Sequence, residues 1–351
     1  MSKRYPLSRA SKAFEAIRKA EPEFVAKAIS EGAIGLDSGL LAAYAAKCLR
    51  QMYARTGETD QRLCMAQLNM LAARDGSIVT VDDLVWASRW QSCRQVFRIN
   101  ETVAMELPKT ELDDEIPCEV FKRLPYPIIY VDRSFKAPIS SGETIDIAGF
   151  IAYTIRWNDG STRIGIVMIR PEGGRIYTSI PTDEKTTIKS LVDADVGLDD
   201  GNGNPLSMAT QLQDSKTSYD EAIDAMSTIV SSLLYIISAE DDARTVYAPP
   251  KTMRGSKPGK KTNLETVTEV GVRIGRAIGE TRRSISYRIP TANSTGRTVA
   301  PHIRAAHWQH YWIGQRKGRT DGRYGEELIV KWVPPVPVNE DFGEVTETIH
   351  N

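Results

Sequence analysis

The residues of this chain best suited to chemistry lie together near its C-terminal end, in Pro301-His302-Ile303-Arg304-Ala305-Ala306-His307-Trp308-Gln309-His310-Tyr311-Trp312. Three of the four histidines and two of the six tryptophans fall within these twelve residues. A zinc site could draw on His302, His307 and His310. A nuclease would prefer clustered carboxylates, for which His302, Arg304 and His307 are a thin substitute, and the run contains no acidic residue. Binding suits the mixture better. Aromatic planes stack on unpaired bases, and guanidinium groups fork onto phosphate.

The elements that must position these groups favour the same choice. A polar stretch, Gly314 to Gly325, follows the run, and then Leu328-Ile329-Val330-Lys331-Trp332-Val333-Pro334-Pro335, a β-rich segment ended by proline. The pattern predicts a β-hairpin with strands near 307–313 and 328–333 and a long Arg/Gly tip. Pro334, Pro335 and Pro337 cannot donate to a ladder, so pairing is expected to stop there. Side chains alternate along a strand, so Trp308, His310 and Trp312 share one face and His307, Gln309 and Tyr311 the other. His307 and His310 then point apart, which disfavours shared coordination of a metal. A helical reading would bring at most two imidazoles together. No catalytic residue, metal site or cofactor is therefore assigned. Trp308, Trp312 and Trp332 also suit a cross-strand core. The expectation is a division of labour, with some tryptophans buried and His302, Arg304, His307 and His310 more exposed.

Upstream, residues 1–105 read as helical. Ser8 or Ser11 can cap a helix through Phe14 and Ile17, and Pro22 restarts the chain for a second ending before Gly32. Leu40, Leu41, Tyr44, Cys48 and Met52 mark another helix, and Leu63 to Leu71 a further one. Thr80 with Asp82 and Asp83 makes a helix start, followed by an apolar stripe, Trp86, Trp90, Cys93 and Phe97. The acidic, proline-bounded stretch Glu106 to Pro117 marks a boundary. Strands follow at Ile128 to Val131, Ile145 to Trp157, Arg163 to Ile169 and Arg175 to Ile180, with Asn158-Asp159-Gly160 as a hairpin signal. The Asp-rich segment Asp193 to Asn204 fails calcium-loop spacing and reads as a solvated loop.

Thr217 to Asp241 predicts a long helix across the sheet. Residues 248–264 read as a flexible basic loop. Gly255 to Thr262 within it is one residue short of a phosphate-binding loop, and no strand precedes it. Thr266 to Ile274 reads as a strand entering a helix through Arg283, with Gly271, Gly275 and Gly279 serving close packing rather than phosphate approach. The predicted fold class is α+β: an N-terminal helical region (1–110) packed with a mixed, largely antiparallel sheet domain (111–247) under a long helix. After the basic loop, a basic strand-helix-hairpin part (265–351) packs on that domain.

Bulk properties narrow the partners. The chain has 351 residues, 26% of them charged, with zero formal net charge. That neutrality hides a polarity. Lys251 to Trp332 holds seventeen Lys/Arg against six Asp/Glu, about +11, balanced by about −11 elsewhere. Such asymmetry suits a polyanionic partner for the basic part, or else a surface facing the protein's own acidic loops. Cys48, Cys64, Cys93 and Cys118 are widely spaced, as buried thiols of a reducing cytoplasm would be. The N-terminus lacks a signal-peptide core, and the most apolar segment, Ile229 to Ala239, is too short to span a membrane. A cytoplasmic protein is expected.

The C-terminal run resembles the signature of a group of phage and plasmid proteins: Pro-His-x-Arg-x-x-His-Trp-x-x-Tyr-Trp, a basic loop, a strand ending Trp-x-Pro, and then Val-Asn. Here these are Pro301 to Trp312, Trp332-Val333-Pro334 and Val338-Asn339. Looser likenesses are Asp113-Asp114 before a short helix ending Leu124-Pro125, Tyr130-Val131-Asp132, Gly149-Phe150, and Ile274-Gly275 followed by Arg282-Arg283. The characterised group is the second described type V-A anti-CRISPR family, and the resemblance covers about 110–340. It implies a non-enzymatic inhibitor that acts in the bacterial host cell on production of the type V-A effector nuclease. Such an inhibitor recognises the effector's N-terminal nascent polypeptide and lowers its mRNA. The implied partners are that peptide and the ribosome or mRNA. Candidate peptide- or RNA-binding residues are His302, Arg304, His307, Trp308, His310, Tyr311, Trp312, Arg282, Arg283, Arg316, Lys317 and Trp332. Two rival readings are an RNA-binding regulator of a mobile element unrelated to CRISPR, and a histidine-dependent nuclease.

Overall fold

The computed structural model describes residues 6–30, 38–112, 115–138, 143–156, 161–193, 216–248, 264–286, 302–314 and 327–338. The Asp-rich segment after Asp193, residues 249–263 of the basic loop, Asn158-Asp159-Gly160, Arg316 and Lys317 lie outside them. Five helices open the chain: α1 (Arg9–Ala20), α2 (Pro22–Ser30), α3 (Ser38–Thr56), α4 (Gln61–Arg74) and α5 (Val81–Ser92). Their starts follow local chemistry. The Ser8 hydroxyl accepts the Ser11 N–H, the Asp60 carboxylate accepts from Arg62 and Leu63, and Thr80 with Asp83 forms a reciprocal capping box.

The chain then enters strand β1 (Gln95–Ile99), where the apolar stripe through Phe97 predicted continued helix. Helix α5 ends at Ser92, and Cys93 is its C-cap in a non-helical conformation. Strand β1 pairs in parallel on both sides, so remote neighbours decide its conformation. Next come α6 (Glu101–Glu106), a 3-10 turn (Leu107–Lys109), a second one (Cys118–Arg123), and strands β2 (Ile128–Val131) and β3 (Phe135–Pro138). The single strand expected over Ile145 to Trp157 is two, β4 (Thr144–Ile147) and β5 (Gly149–Arg156). β4 turns aside to pair with β3. At the break, a Cβ on Gly149 would stand 2.3 Å from the Tyr130 hydroxyl, so only glycine lets the strands approach there.

Strands β6 (Thr162–Ile169) and β7 (Arg175–Pro181), helices α7 (Ile188–Asp193) and α8 (Lys216–Ser238), and strands β8 (Ala243–Tyr247) and β9 (Thr266–Val270) complete the central part. The seven-stranded sheet has the order β7-β6-β5-β2-β1-β9-β8. It is parallel around β1 and antiparallel elsewhere, which makes the fold a mixed α+β one. The expected β5–β6 hairpin forms, with Arg156 opposite Thr162.

Alternation in β2 and β5 divides two cores. Ile128, Tyr130, Ile151 and Tyr153 face α1–α5, whereas Ile129, Val131, Phe150 and Ala152 face α8. The apolar window of α8, Asp220–Ser238, is long enough to cross a membrane, yet 61% of it is buried inside the protein as sheet cover.

The C-terminal part follows: α9 (Val272–Ser286), β10 (His302–Arg304), β11 (His307–Ile313), β12 (Glu327–Val333) and β13 (Val336–Val338). Gly271, at φ +77°, makes the turn from β9 into α9, a conformation that costs glycine little. A Cβ on Gly275 would meet the Asn100 side-chain oxygen at 2.0 Å, so close packing accounts for this glycine.

Candidate functional site: the C-terminal hairpin and its basic flank

Strands β11 and β12 pair over their whole length, with Trp308 opposite Trp332, His310 opposite Val330 and Trp312 opposite Leu328. The two faces divide as alternation predicts. Trp308, Leu328, Val330 and Trp332 are buried in the core beneath α8, with Trp312 packed half-buried beside them. The Trp332 ring meets Tyr235 edge-on at 5.5 Å, and its Nε1 donates to the Thr110 hydroxyl at 3.0 Å. Trp308 and Trp332 are thus core residues. A stacking role does not suit where they stand.

Hairpin pairing stops at Val333, but the expectation that the prolines end all pairing is corrected. β13 begins two residues after Pro334 and pairs with β10, with Pro337 opposite Ile303. A ribbon of two strands consists only of edges, where a missing N–H is tolerated.

A segment distant in sequence clamps the hairpin. The backbone of Glu111 forms a parallel β-bridge with that of His307, Arg123 pairs with Glu327 at 2.9 Å and donates to the Leu328 carbonyl, and His310 Nε2 lies 3.4 Å from a Glu115 carboxylate oxygen. The acidic Glu106 to Pro117 stretch therefore supplies the carboxylate that the histidine run lacks. Sequence reading marked that stretch only as a boundary.

On the outer face, three side chains form a row. The Tyr311 hydroxyl donates to Gln309 Oε1, and Gln309 Nε2 stands 3.1 Å from His307 Nε2. An amide nitrogen only donates, so His307 Nε2 accepts and the ring proton sits on Nδ1. That Nδ1 is buried with no hydrogen-bond partner among the described residues, as is Trp308 Nε1. His307 and His310 are half-buried, more enclosed than the sequence suggested, while Arg304 and Tyr311 are exposed. The side chain of His302 lies outside the described residues.

Helix α9 supplies the basic flank. Its packed face carries Ile274 and Ile278, and Arg273, Arg276 and Arg283 are exposed. Arg282 turns inward to Glu106 at 2.8 Å. Burial works against ionising Glu106, but bonds and charge from Arg282 outweigh it and hold the carboxyl below its usual range. β13 packs against α9, which brings the ribbon carrying Arg304 beside this helix. Arg273 and Arg276 were not singled out from sequence, although their spacing with Arg283 was legible as one helical face. Among the described residues no three His, Cys, Asp or Glu side chains are placed to hold a metal ion. The arrangement offers aromatic, amide and guanidinium contacts.

The fold has a counterpart. The crystal structure of AcrVA2 superposes with a TM-score of 0.55 at 17% identity, covering 94% of this chain and 99% of that one. No curated protein sequence matches the chain. Across residues 97–340, a span that begins within β1 and holds β2 through β13 and so every element of the hairpin and its flank, the sequence matches the model of the AcrVA2-like proteins. The chain belongs to the anti-CRISPR type V subtype A2 family.

Proposed function

We propose that this protein blocks production of the type V-A effector nuclease, recognising the effector's N-terminal nascent polypeptide and lowering its mRNA. Family membership across 97–340 carries this reading and supports an anti-CRISPR function without enzymatic activity. The surface offered to peptide and to ribosome or mRNA is the outer hairpin face with Tyr311, together with Arg304 and the α9 arginines. These are extended-strand and guanidinium contacts suited to polypeptide and phosphate respectively.

The test is co-expression with a type V-A effector while effector protein and message are followed together. Both are expected to fall, and the fall should disappear when the first codons are changed to encode a different peptide. Persistence of both would remove the proposal. A second reading, an RNA-binding regulator of a mobile element, draws on the exposed Arg273, Arg276 and Arg283, which RNA alone would explain. RNA binding without peptide binding by the purified protein would select it. Metal-dependent RNA cleavage would instead select a nuclease.

A further inference from the structure

On the opposite side of the sheet from the hairpin, a cleft of about 620 Å³ lies between α1 and two turns. One turn, Asp75-Gly76-Ser77, leads from α4 towards α5, and the other, Pro171-Glu172-Gly173, joins β6 to β7. The turns interlock. A Cβ on Gly76 would stand 2.6 Å from the Gly173 carbonyl oxygen, and one on Gly174 would stand 2.1 Å from that of Ala73. Behind them the fully buried Arg175 donates to the carbonyls of Gly76 at 2.8 Å and Gly173 at 3.3 Å. This wall is preformed, as ligand sites usually are, and the volume falls in their usual range.

The charges in the cleft are unevenly satisfied. Asp75 accepts the Ser77 N–H at 2.8 Å, Glu172 pairs with Arg170, and Arg9 donates to the Pro171 carbonyl at 2.7 Å. Lys12 and Lys19 are exposed on the α1 wall and have no side-chain partner among the described residues. Seven residues separate them, about 10 Å along the helix. The apolar lining is small, made by Ala13 and Ala16, which lie between the two lysines on α1, with Ala20 and Ile169. Among the described residues no aromatic ring lines the cleft, and these walls give a single-stranded nucleic acid nothing to stack on.

We propose that this cleft binds a short acidic peptide segment of a partner protein in extended form. Two carboxylates, two to four residues apart and so about 7–13 Å along a strand, engage Lys12 and Lys19. Small or aliphatic side chains between them rest on the alanine floor. The site shares no residue with the hairpin and does not draw on the function proposed above. Its α1 wall and the 75–77 turn precede residues 97–340, over which the family model matches.

The experiment pans a phage-displayed random dodecapeptide library on the full chain. It then measures one enriched synthetic peptide by fluorescence anisotropy against Lys12→Glu/Lys19→Glu and against Ala16→Trp, which fills the floor. Acidic peptides should be enriched, and both variants should weaken binding at least tenfold while melting like the parent. Ala16 is exposed, so its variant carries the test if the charge reversal fails to fold. Enrichment of no acidic peptide, or equal binding by Ala16→Trp, would overturn the proposal. So would binding of an oligouridine in the peptide's place that is lost in the charge-reversed variant.

Discussion

The tryptophans on the two sides of the sheet are treated differently. Under the helical layer, Trp86 Nε1 donates to Asp83 at 3.0 Å and Trp90 Nε1 to Ser11 at 3.1 Å, and both rings are completely buried. In the hairpin, Trp332 finds Thr110, but Trp308 Nε1 and the neighbouring His307 Nδ1 are buried without partners among the described residues. An unsatisfied buried donor costs roughly 1–3 kcal/mol. The helical side holds Trp86 and Trp90 by hydrogen bonds and the hairpin side leaves Trp308 without one, although Gln67 Oε1 and Asn69 Oδ1 on the helical side are likewise buried without a partner among the described residues.

The sharpest way to break this comparison is at Arg175. It and Asp83 are fully buried 2.8 Å apart, and the guanidinium also holds the Ile78 carbonyl and the Tyr177 hydroxyl. Burial alone would lower its pKa, but Asp83 and Tyr177 keep it raised above the usual value. Arg175→Ala strands the carboxylate and should cost about 3–5 kcal/mol. Denaturant unfolding measures it, and an unchanged midpoint would deny the helical side its role.

Trp332→Ala should come next, about 3–4 kcal/mol for a ring that is 7% exposed. A melting curve like the parent's would mean that the hairpin is dispensable to the core. Asp82→Asn should act in the opposite direction. Burial and neighbouring Asp83 push the Asp82 carboxyl up to about 6. Its folded pKa then exceeds the unfolded value of about 3.9, so the cost of ionising it is fully present above pH 6 and fades as pH falls towards 4. For a half-buried side chain the gain should be about 1 kcal/mol at pH 7 and vanish near pH 4. Equal gain at both values would refute the assignment.

The smallest stability effect is expected for His307→Ala/His310→Ala, about 1 kcal/mol, because both rings are only half-buried. Inhibition should nevertheless fall, read as effector level on co-expression. A well-folded double variant with normal inhibition would remove the histidines from the functional surface.

Local chemistry in the sequence determined much of this protein. Helix starts at Ser8, Asp60 and Thr80, the faces of β11, the long cover helix and the family motif all follow from neighbours a few residues apart, through capping and periodicity. Other features depend on partners far along the chain. Strand β1 is five residues long after a helical stripe, and its conformation is decided by parallel neighbours near residues 130 and 268. The pairing of β10 with β13 joins strands separated by the whole hairpin. Glu115 reaches His310 only because the segment after α6 runs beneath the hairpin. The cleft arises where α1 meets two glycine turns almost a hundred residues apart. Periodicity and capping are short-range and legible from residue types. Burial, charge pairing and cleft shape depend on which remote surfaces meet, and only the tertiary structure decided that.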